Sequence, residues 1–278
     1  MEIGPGKGAL TQYLLPAFER VIAIELDRDL VQFLRDRWSH EPRLEILERN
    51  ALQVDWEPFG AGVVVGNLPY YVATAIISSF VQKPGLLGPG IFLIQKEVAE
   101  RITATPGHRE YGYLSVECQL LCKTELLFSV PPGAFQPPPQ VDSAVIRLTP
   151  VTPPADLDVP SFLQFASACF RQKRKTLRNN LISRYDREVL EPFPEMGQRA
   201  EQLSVAEFVK LYRALEPRIP PIAERDASAS PETSSSPAPG SGTTVGASAE
   251  ALLTGSGLTG SGEMSSSKIA SVGSPAKL

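Results

Sequence analysis

The sequence predicts an α/β fold organised around a mostly parallel sheet, and three observations carry that expectation. Short apolar runs at 20–27, 44–47, 63–65 and 90–95 read as strands, and stretches at helical spacing, 29–38 and 73–81, fall between them. A glycine-rich turn, Gly4-Pro5-Gly6-Lys7-Gly8, stands at the head of this alternation. The first of these runs ends in acidic side chains, Glu25 and Asp27. Alternating strands and helices imply a parallel sheet covered on both faces. A glycine turn followed by an acidic strand end implies a nucleoside-bearing ligand at the carboxyl edge of that sheet.

The elements justify themselves in order. Glu2-Ile3 looks like the last residues of a strand feeding the glycine turn, so the start reads as truncated. Lys7 is followed by Gly8, not by Ser or Thr, which excludes a phosphate-binding P-loop. Gly8 and Ala9 also depart from the nicotinamide fingerprint, which wants glycine at the second of these positions, although alanine is sometimes accepted there. Leu30, Val31, Leu34 and Trp38 recur at helical spacing, and Leu44-Glu45-Ile46-Leu47 forms a third strand ahead of Asn50-Ala51.

The valines at 63–65, bounded by Gly62 and Gly66, read as a buried strand. Asn67-Leu68-Pro69-Tyr70 therefore stands at its carboxyl end. An amide oxygen can accept from an exocyclic amine, and a tyrosine face can stack on a flat heterocycle. The same four residues also suit an ordinary turn with a core tyrosine.

Beyond Tyr111 the pattern changes. A helix is expected at 116–122, with Cys118 and Cys122 on one buried face. Strands at 125–130 and 143–148 flank a proline-rich connection in which Phe135 is the lone aromatic residue. Prolines stiffen such a loop, so Phe135 suits either a core plug or a wall for a flat substrate. After Pro153-Pro154, Phe162, Phe165, Ala166, Cys169 and Phe170 form a helical apolar face. Arg171, Lys173, Arg174, Lys175 and Arg178 then place five cations in eight positions. That run reads as a phosphate-contacting surface or as a solvated helix face.

Composition sets the outer bounds. The chain has 278 residues, 42% hydrophobic, with a formal net charge of −4, which argues against indiscriminate coating of nucleic acid. Three cysteines and two histidines without metal-ligand spacing make a zinc site or disulfide framework unexpected, and point to a reducing compartment such as the cytoplasm. No apolar run approaches membrane-spanning length. Residues 219–278 carry no aromatic side chain and are rich in Ser, Ala, Gly, Pro and Thr, the composition of a disordered tail.

Seven ordered blocks resemble one family: Glu2-Ile3-Gly4-Pro5-Gly6, Ile24-Glu25-Leu26-Asp27, Asn67-Leu68-Pro69-Tyr70, Gln95-Lys96-Glu97-Val98-Ala99, Tyr111-Gly112, the segment 135–143 and the segment 173–181. Together they are similar to the ribosomal RNA adenine N6,N6-dimethyltransferases of the kasugamycin-resistance type. The resemblance implies a Rossmann-like S-adenosylmethionine-dependent methyltransferase domain at 1–152, whose mostly parallel sheet ends in an antiparallel hairpin strand. A small all-helical RNA-binding domain at 153–218 and the tail at 219–278 complete the expected organisation.

The same resemblance implies dimethylation of two adjacent adenosines near the 3′ end of small-subunit rRNA, on the immature subunit, by a monomer. Glu2, Gly4, Gly6, Glu25, Asn50, Ala51 and Asn67 would meet S-adenosyl-L-methionine. Asn67, Leu68 and Pro69 would orient the target amine, Tyr70 and Phe135 would stack the flipped base, and the cations at 171–178 would hold RNA. Two departures accompany it: Asn50 stands where the family has aspartate, and the segment that the family carries ahead of Glu2 is missing. The alternatives are a large-subunit rRNA adenine methyltransferase conferring antibiotic resistance, and a ribosome-assembly RNA binder without turnover.

Overall fold

A computed structural model describes residues 1–56, 59–60, 62–83 and 87–216; the tail expected at 219–278 lies outside them. The first half alternates strand and helix as its apolar pattern requires: β1 (Glu2–Ile3), α1 (Thr11–Leu14), β2 (Val21–Glu25), α2 (Arg28–Arg37), β3 (Leu44–Glu48), β4 (Val64–Asn67), α3 (Ala73–Val81) and β5 (Gly90–Gln95). Then follow α4 (Lys96–Thr103), α5 (Tyr113–Leu121), β6 (Cys122–Val130) and β7 (Ser143–Pro150). The remainder is helical: α6 (Val159–Cys169), α7 (Leu177–Leu181), α8 (Arg187–Leu190) and α9 (Val205–Leu215).

The seven strands form one sheet in the order β3-β2-β1-β4-β5-β7-β6. β1 to β5 pair in parallel, and β7 runs antiparallel to both β5 and β6. The chain therefore builds outward from β1 in one direction and resumes at β4 in the other. The crevice between the carboxyl ends of β1 and β4 is a topological switch point, where open α/β sheets bind ligands. All five residues of β2 are buried, as a strand covered on both faces demands.

Packing holds the edge in place. Phe80 of α3 meets Phe92 of β5 edge-on, with ring centroids 5.3 Å apart. Glu117 of α5 is buried, yet it accepts from Ser78 Oγ at 2.8 Å and Gln82 Nε2 at 2.6 Å, so its carboxylate pins α5 to α3 with both oxygens bonded. In the helical region Tyr212 takes Phe162 edge-on at 5.7 Å and Phe165 at 5.5 Å, the apolar face that the spacing predicts for α6. Tyr111 reaches Phe170 at 6.2 Å, joining the segment before α5 to these helices. All described residues fall in one compact unit, and none of their helices is long and apolar enough to cross a membrane.

Three expectations change. The helix expected at 116–122 begins at Tyr113 and ends at Leu121, and Cys122 opens β6 in extended conformation, paired with Pro150. Cys118 and Cys122 are both buried, but they do not share a helix face. The apolar run gives no glycine or proline to mark this switch; pairing with β7 decides it. α4 has no counterpart among the expected elements, because it follows β5 with no loop and alternates charges with Val98, Ala99 and Ile102, its buried face. Asn67, expected in the turn, is the last residue of β4 and pairs with Leu93.

Candidate active site

The glycine turn leaves β1 at Gly4, whose N–H donates to Ile24 O at 3.0 Å, so the turn stays tied to β2. Gly4, Gly6 and Gly8 have φ of 64°, 56° and 79°, the left-handed region that glycine alone enters without strain. At Gly8 space also forbids a side chain, since a Cβ there would lie 2.1 Å from the Trp38 ring. The glycine that departs from the nicotinamide pattern is thus the one against which Trp38, at the end of α2, is seated.

Glu25 closes this turn from below. Its Oε2 accepts from Gly6 N at 3.1 Å, while Oε1 accepts from Leu26 N at 2.9 Å and Asp27 N at 3.1 Å. A carboxylate offers about four acceptor sites, so three backbone bonds fix its orientation and leave roughly one site for a ligand hydroxyl. Glu2 lies deeper, 1% exposed, with Oε2 accepting from Thr11 Oγ1 at 2.7 Å. Burial raises its pKa above the ordinary value; the Thr11 hydroxyl opposes the rise, and the neighbouring Glu25 charge adds to it. Two carboxylates under one turn suit a ligand with positive charge and ribose hydroxyls, as S-adenosylmethionine has.

Asn50 stands past the end of β3, beside Glu25, where Arg49 N donates to Glu25 O at 2.9 Å. Its Oδ1 accepts from Leu52 N at 3.0 Å and caps the short turn at Ala51–Gln53. The amide oxygen expected to face an adenine amine is therefore engaged in the turn, and Ala51 begins that turn half-buried.

The second turn abuts the first. A Cβ placed on Gly4 would lie 3.8 Å from Asn67 O and 4.0 Å from Pro69 Cδ, so the glycine turn and the Asn67–Tyr70 turn are in contact. Gly66 allows this approach, because a Cβ there would lie 2.9 Å from Ile3 O and 2.8 Å from Leu68 Cδ2. Leu68 is buried and donates its N–H to Leu93 O at 3.0 Å, while Pro69 O accepts from Val72 N at 3.1 Å. Among the described residues no backbone bond of the turn uses the Leu68 carbonyl. The exposed Asn67 side chain and that carbonyl are among the acceptors the turn leaves open.

Tyr70 is half-buried, and its hydroxyl lies 2.7 Å from Ser143 Oγ, at the first residue of β7. Ser143 pairs with both Gln95 and Val130, so the 131–142 loop that carries Phe135 returns to this same edge. Phe135 is half-buried and makes no ring contact with Tyr70.

Arg171, Lys173, Arg174 and Lys175 lie in a turn between α6 and α7, and Arg178 lies within α7. Arg171, Lys173, Arg174 and Lys175 are exposed, Arg178 is half-buried, and none of the five forms an ion pair with a described residue. Asn180, 4% exposed, shapes the turn: its Nδ2 donates to Cys169 O at 2.7 Å and Gln172 O at 3.2 Å, and its Oδ1 accepts from Gln172 N at 3.0 Å. Lys173 Nζ donates to Arg109 O in the loop beyond α4. That helix, eight residues and about 12 Å long, leads from Gln95 at the sheet edge toward the basic turn. Sequence reasoning assigned no role to Ser143, Gly66 or Asn180. A glycine two residues before the Leu68 position was the visible signal among them. Ser143 acts through Tyr70, 73 residues away, and Asn180 closes a turn onto residues 8 and 11 positions back, which its residue type alone does not reveal.

A glycine turn closed by a strand-end carboxylate, touching a second turn with open amide and carbonyl acceptors at one edge of this sheet, is the arrangement of a Rossmann-like group transferase of the methyltransferase class. Residues 1–216 match the family of ribosomal RNA adenine dimethylases, and the chain belongs to it. It is 41% identical over 230 residues to the ribosomal RNA small subunit methyltransferase A of Acidobacterium capsulatum, covering 78% of this chain and 81% of that one. The protein of that name from Pseudomonas aeruginosa is 43% identical over 224 residues, 77% of this chain and 83% of the relative. Among solved structures, a dimethyladenosine transferase from Plasmodium falciparum superimposes with a TM-score of 0.69 at 26% identity, over 78% of this chain and 89% of that one. The 23S rRNA methyltransferase ErmE gives 0.61 at 25%, over 77% and 89%. The chain is thus an rRNA adenine methyltransferase that takes its methyl group from S-adenosylmethionine.

Proposed function

We propose that the chain dimethylates the N6 amines of two adjacent adenosines near the 3′ end of small-subunit rRNA, acting as a cytoplasmic monomer on the immature small subunit. One observation carries the reading: the open acceptors of Asn67 and Leu68 lie on the turn that touches the Gly4 turn. The choice of subunit is supported by the relatives at 41% and 43% identity, which are small-subunit enzymes by name, against 25% for the 23S enzyme.

In this reading Gly4, Gly6 and Glu25 hold the cofactor, with Glu2 beneath them and Asn50-Ala51 at its base end. Bound there, S-adenosylmethionine supplies an electrophilic methyl group. The rest is done by the chain. An adenine N6 is a poor nucleophile, because its lone pair is delocalised into the ring. Asn67 Oδ1 and the Leu68 carbonyl accept its two N–H bonds and hold the amine in a geometry that frees the lone pair toward the Gly4 turn. Pro69 keeps the turn rigid, its own carbonyl being occupied by Val72. Removing the base from its stack costs a few kcal/mol; stacking on Tyr70 and Phe135, at about 1–3 kcal/mol per base, offsets it. Each transfer leaves N6 cationic and it sheds one proton to solvent, so after the first N6 keeps one N–H and one acceptor suffices for the second.

Residues 1–152 carry this chemistry, and 153–218 hold the RNA through Arg171, Lys173, Arg174, Lys175 and Arg178. Incubating the chain and labelled cofactor with small subunits from cells lacking the modification tests the whole reading. Mass mapping of rRNA fragments is expected to show two neighbouring dimethylated adenosines near the 3′ end. Label confined to large-subunit rRNA would overturn it.

A further inference from the structure

Tyr71 follows Tyr70 directly, and the two side chains have opposite surroundings. Tyr70 is half-buried and tethered through its hydroxyl to Ser143. Tyr71 is 87% exposed, more than any other large apolar side chain among the described residues. It takes part in none of the ring contacts there. A single exposed apolar side chain is ordinary and by itself assigns nothing. Its position does.

The backbone under Tyr71 is held on both sides. Leu68 N donates to Leu93 O, Val72 N donates to Pro69 O, and Ile76 N donates to Val72 O at 3.0 Å as α3 begins. The Tyr71 ring thus projects from a rigid turn one residue beyond the aromatic residue that meets the target base, and Pro69 beside it is exposed as well. We propose that Tyr71 is a stacking platform for the nucleotide adjacent to the adenosine being methylated. The inference rests on the reading of the Asn67–Tyr70 turn as the adenosine site.

The chemistry is that of any extruded base. Taking one nucleotide out of a stack uncovers the flat apolar face of its neighbour. An aromatic ring at the rim of the site covers that face, and it does so for any base, because every base has a π-face. Tyr70 cannot serve both nucleotides, being fixed through Ser143. Tyr71 has the freedom to follow a neighbour whose position shifts between the first and the second adenosine.

Steady-state methyl transfer to unmodified small subunits, with the full chain carrying Tyr71→Ala, Tyr71→Phe or Tyr71→Leu, tests this. Loss of one base-on-ring stack is expected to raise KM for the subunit roughly 5- to 150-fold in the alanine variant. Its kcat and its affinity for S-adenosylmethionine are expected to stay near those of the parent. Phenylalanine is expected to restore the parental KM and leucine is not, which separates stacking from mere apolar cover. An unchanged KM in Tyr71→Ala, or leucine performing as well as phenylalanine, would overturn the platform and leave the reaction standing. A parent chain that moves no methyl group onto the subunit would overturn the reaction, and the platform with it.

Discussion

The turn at Asn67–Tyr70 and the basic turn at 171–175 are both short connections expected to meet the same RNA, yet they are built on opposite principles. In the first, neighbouring residues are locked: Leu68 is buried, Pro69 O and Leu68 N are bonded, and Tyr70 is tethered to Ser143. The Asn67 side chain and the Leu68 carbonyl stay open, the two acceptors that the proposed chemistry needs. In the second, the cations stand in solvent without ion pairs to described residues; Lys173 donates to Arg109 O, and Asn180 holds the backbone beneath them. A reacting amine requires geometry, because misplaced acceptors lose their effect within fractions of an ångström. Phosphates require charge, which acts over a Debye length of about 8–10 Å and tolerates mobile side chains.

The sharpest break of this comparison is Asn67→Ala. Removing one polar group aimed at the reacting atoms is expected to lower kcat by roughly 10²- to 10³-fold, while subunit binding measured on filters stays intact. Normal turnover would take Asn67 out of the mechanism. Asn180→Ala strikes the hidden support of the other turn. It leaves buried partners at Gln172 and Cys169 unpaired, each such group costing about 1–3 kcal/mol, so denaturant midpoint and RNA affinity are expected to fall together.

Charge reversal at Lys173 and Arg174 should act through salt alone. The slope of log binding constant against log salt is expected to become shallower by about 0.7–0.9 for each phosphate the variant no longer neutralises, with kcat at saturating subunit unchanged. An unaltered slope would make the run a solvated surface.

The smallest effect concerns the floor of the cofactor turn. Burial raises the Glu2 pKa from its ordinary 4.5, so its ionised form is a cost to the fold. That cost is absent below the ordinary value and grows with pH until the raised value is passed. Glu2→Gln is therefore expected to melt above the parent at neutral pH, with the gap closing as the solution is acidified toward 4.5. A gap independent of pH would mean that the carboxylate's charge is not what the turn tolerates.

Much of the fold was legible because its elements obey simple periods. The helix expected at 73–81 and the strand expected at 90–95 coincide with α3 and β5, since their apolar residues face one core and the glycines and prolines at 84–89 mark the break between them. The boundary at Cys122 was not legible: an unbroken apolar run fits a helix or a strand, and the pairing with β7 settles it. α4 escaped because its buried side chains are interleaved with charges that only the assembled sheet edge turns outward.

For the site, the sequence by itself determined the chemistry on offer. Glycines at 4, 6 and 8 permit the turn, Glu25 lies at a strand end, and Asn67, Tyr70 and Phe135 offer the amide and the rings, each a property of residue type and local spacing. The tertiary structure decided which of these groups remain free to act. It commits three of the Glu25 acceptor sites and the Asn50 oxygen to backbone N–H groups, anchors Tyr70 through Ser143, and leaves Tyr71 in solvent. Leu26, Asp27 and Leu52 are local partners, but Gly6 lies 19 residues from Glu25 and Ser143 73 from Tyr70, and those pairings are set by strand order and register, which local spacing does not encode. Only the assembled sheet brings β1 and β4 together, so that the Gly4 turn touches the Asn67–Tyr70 turn, as the proposed donor and acceptor sites require.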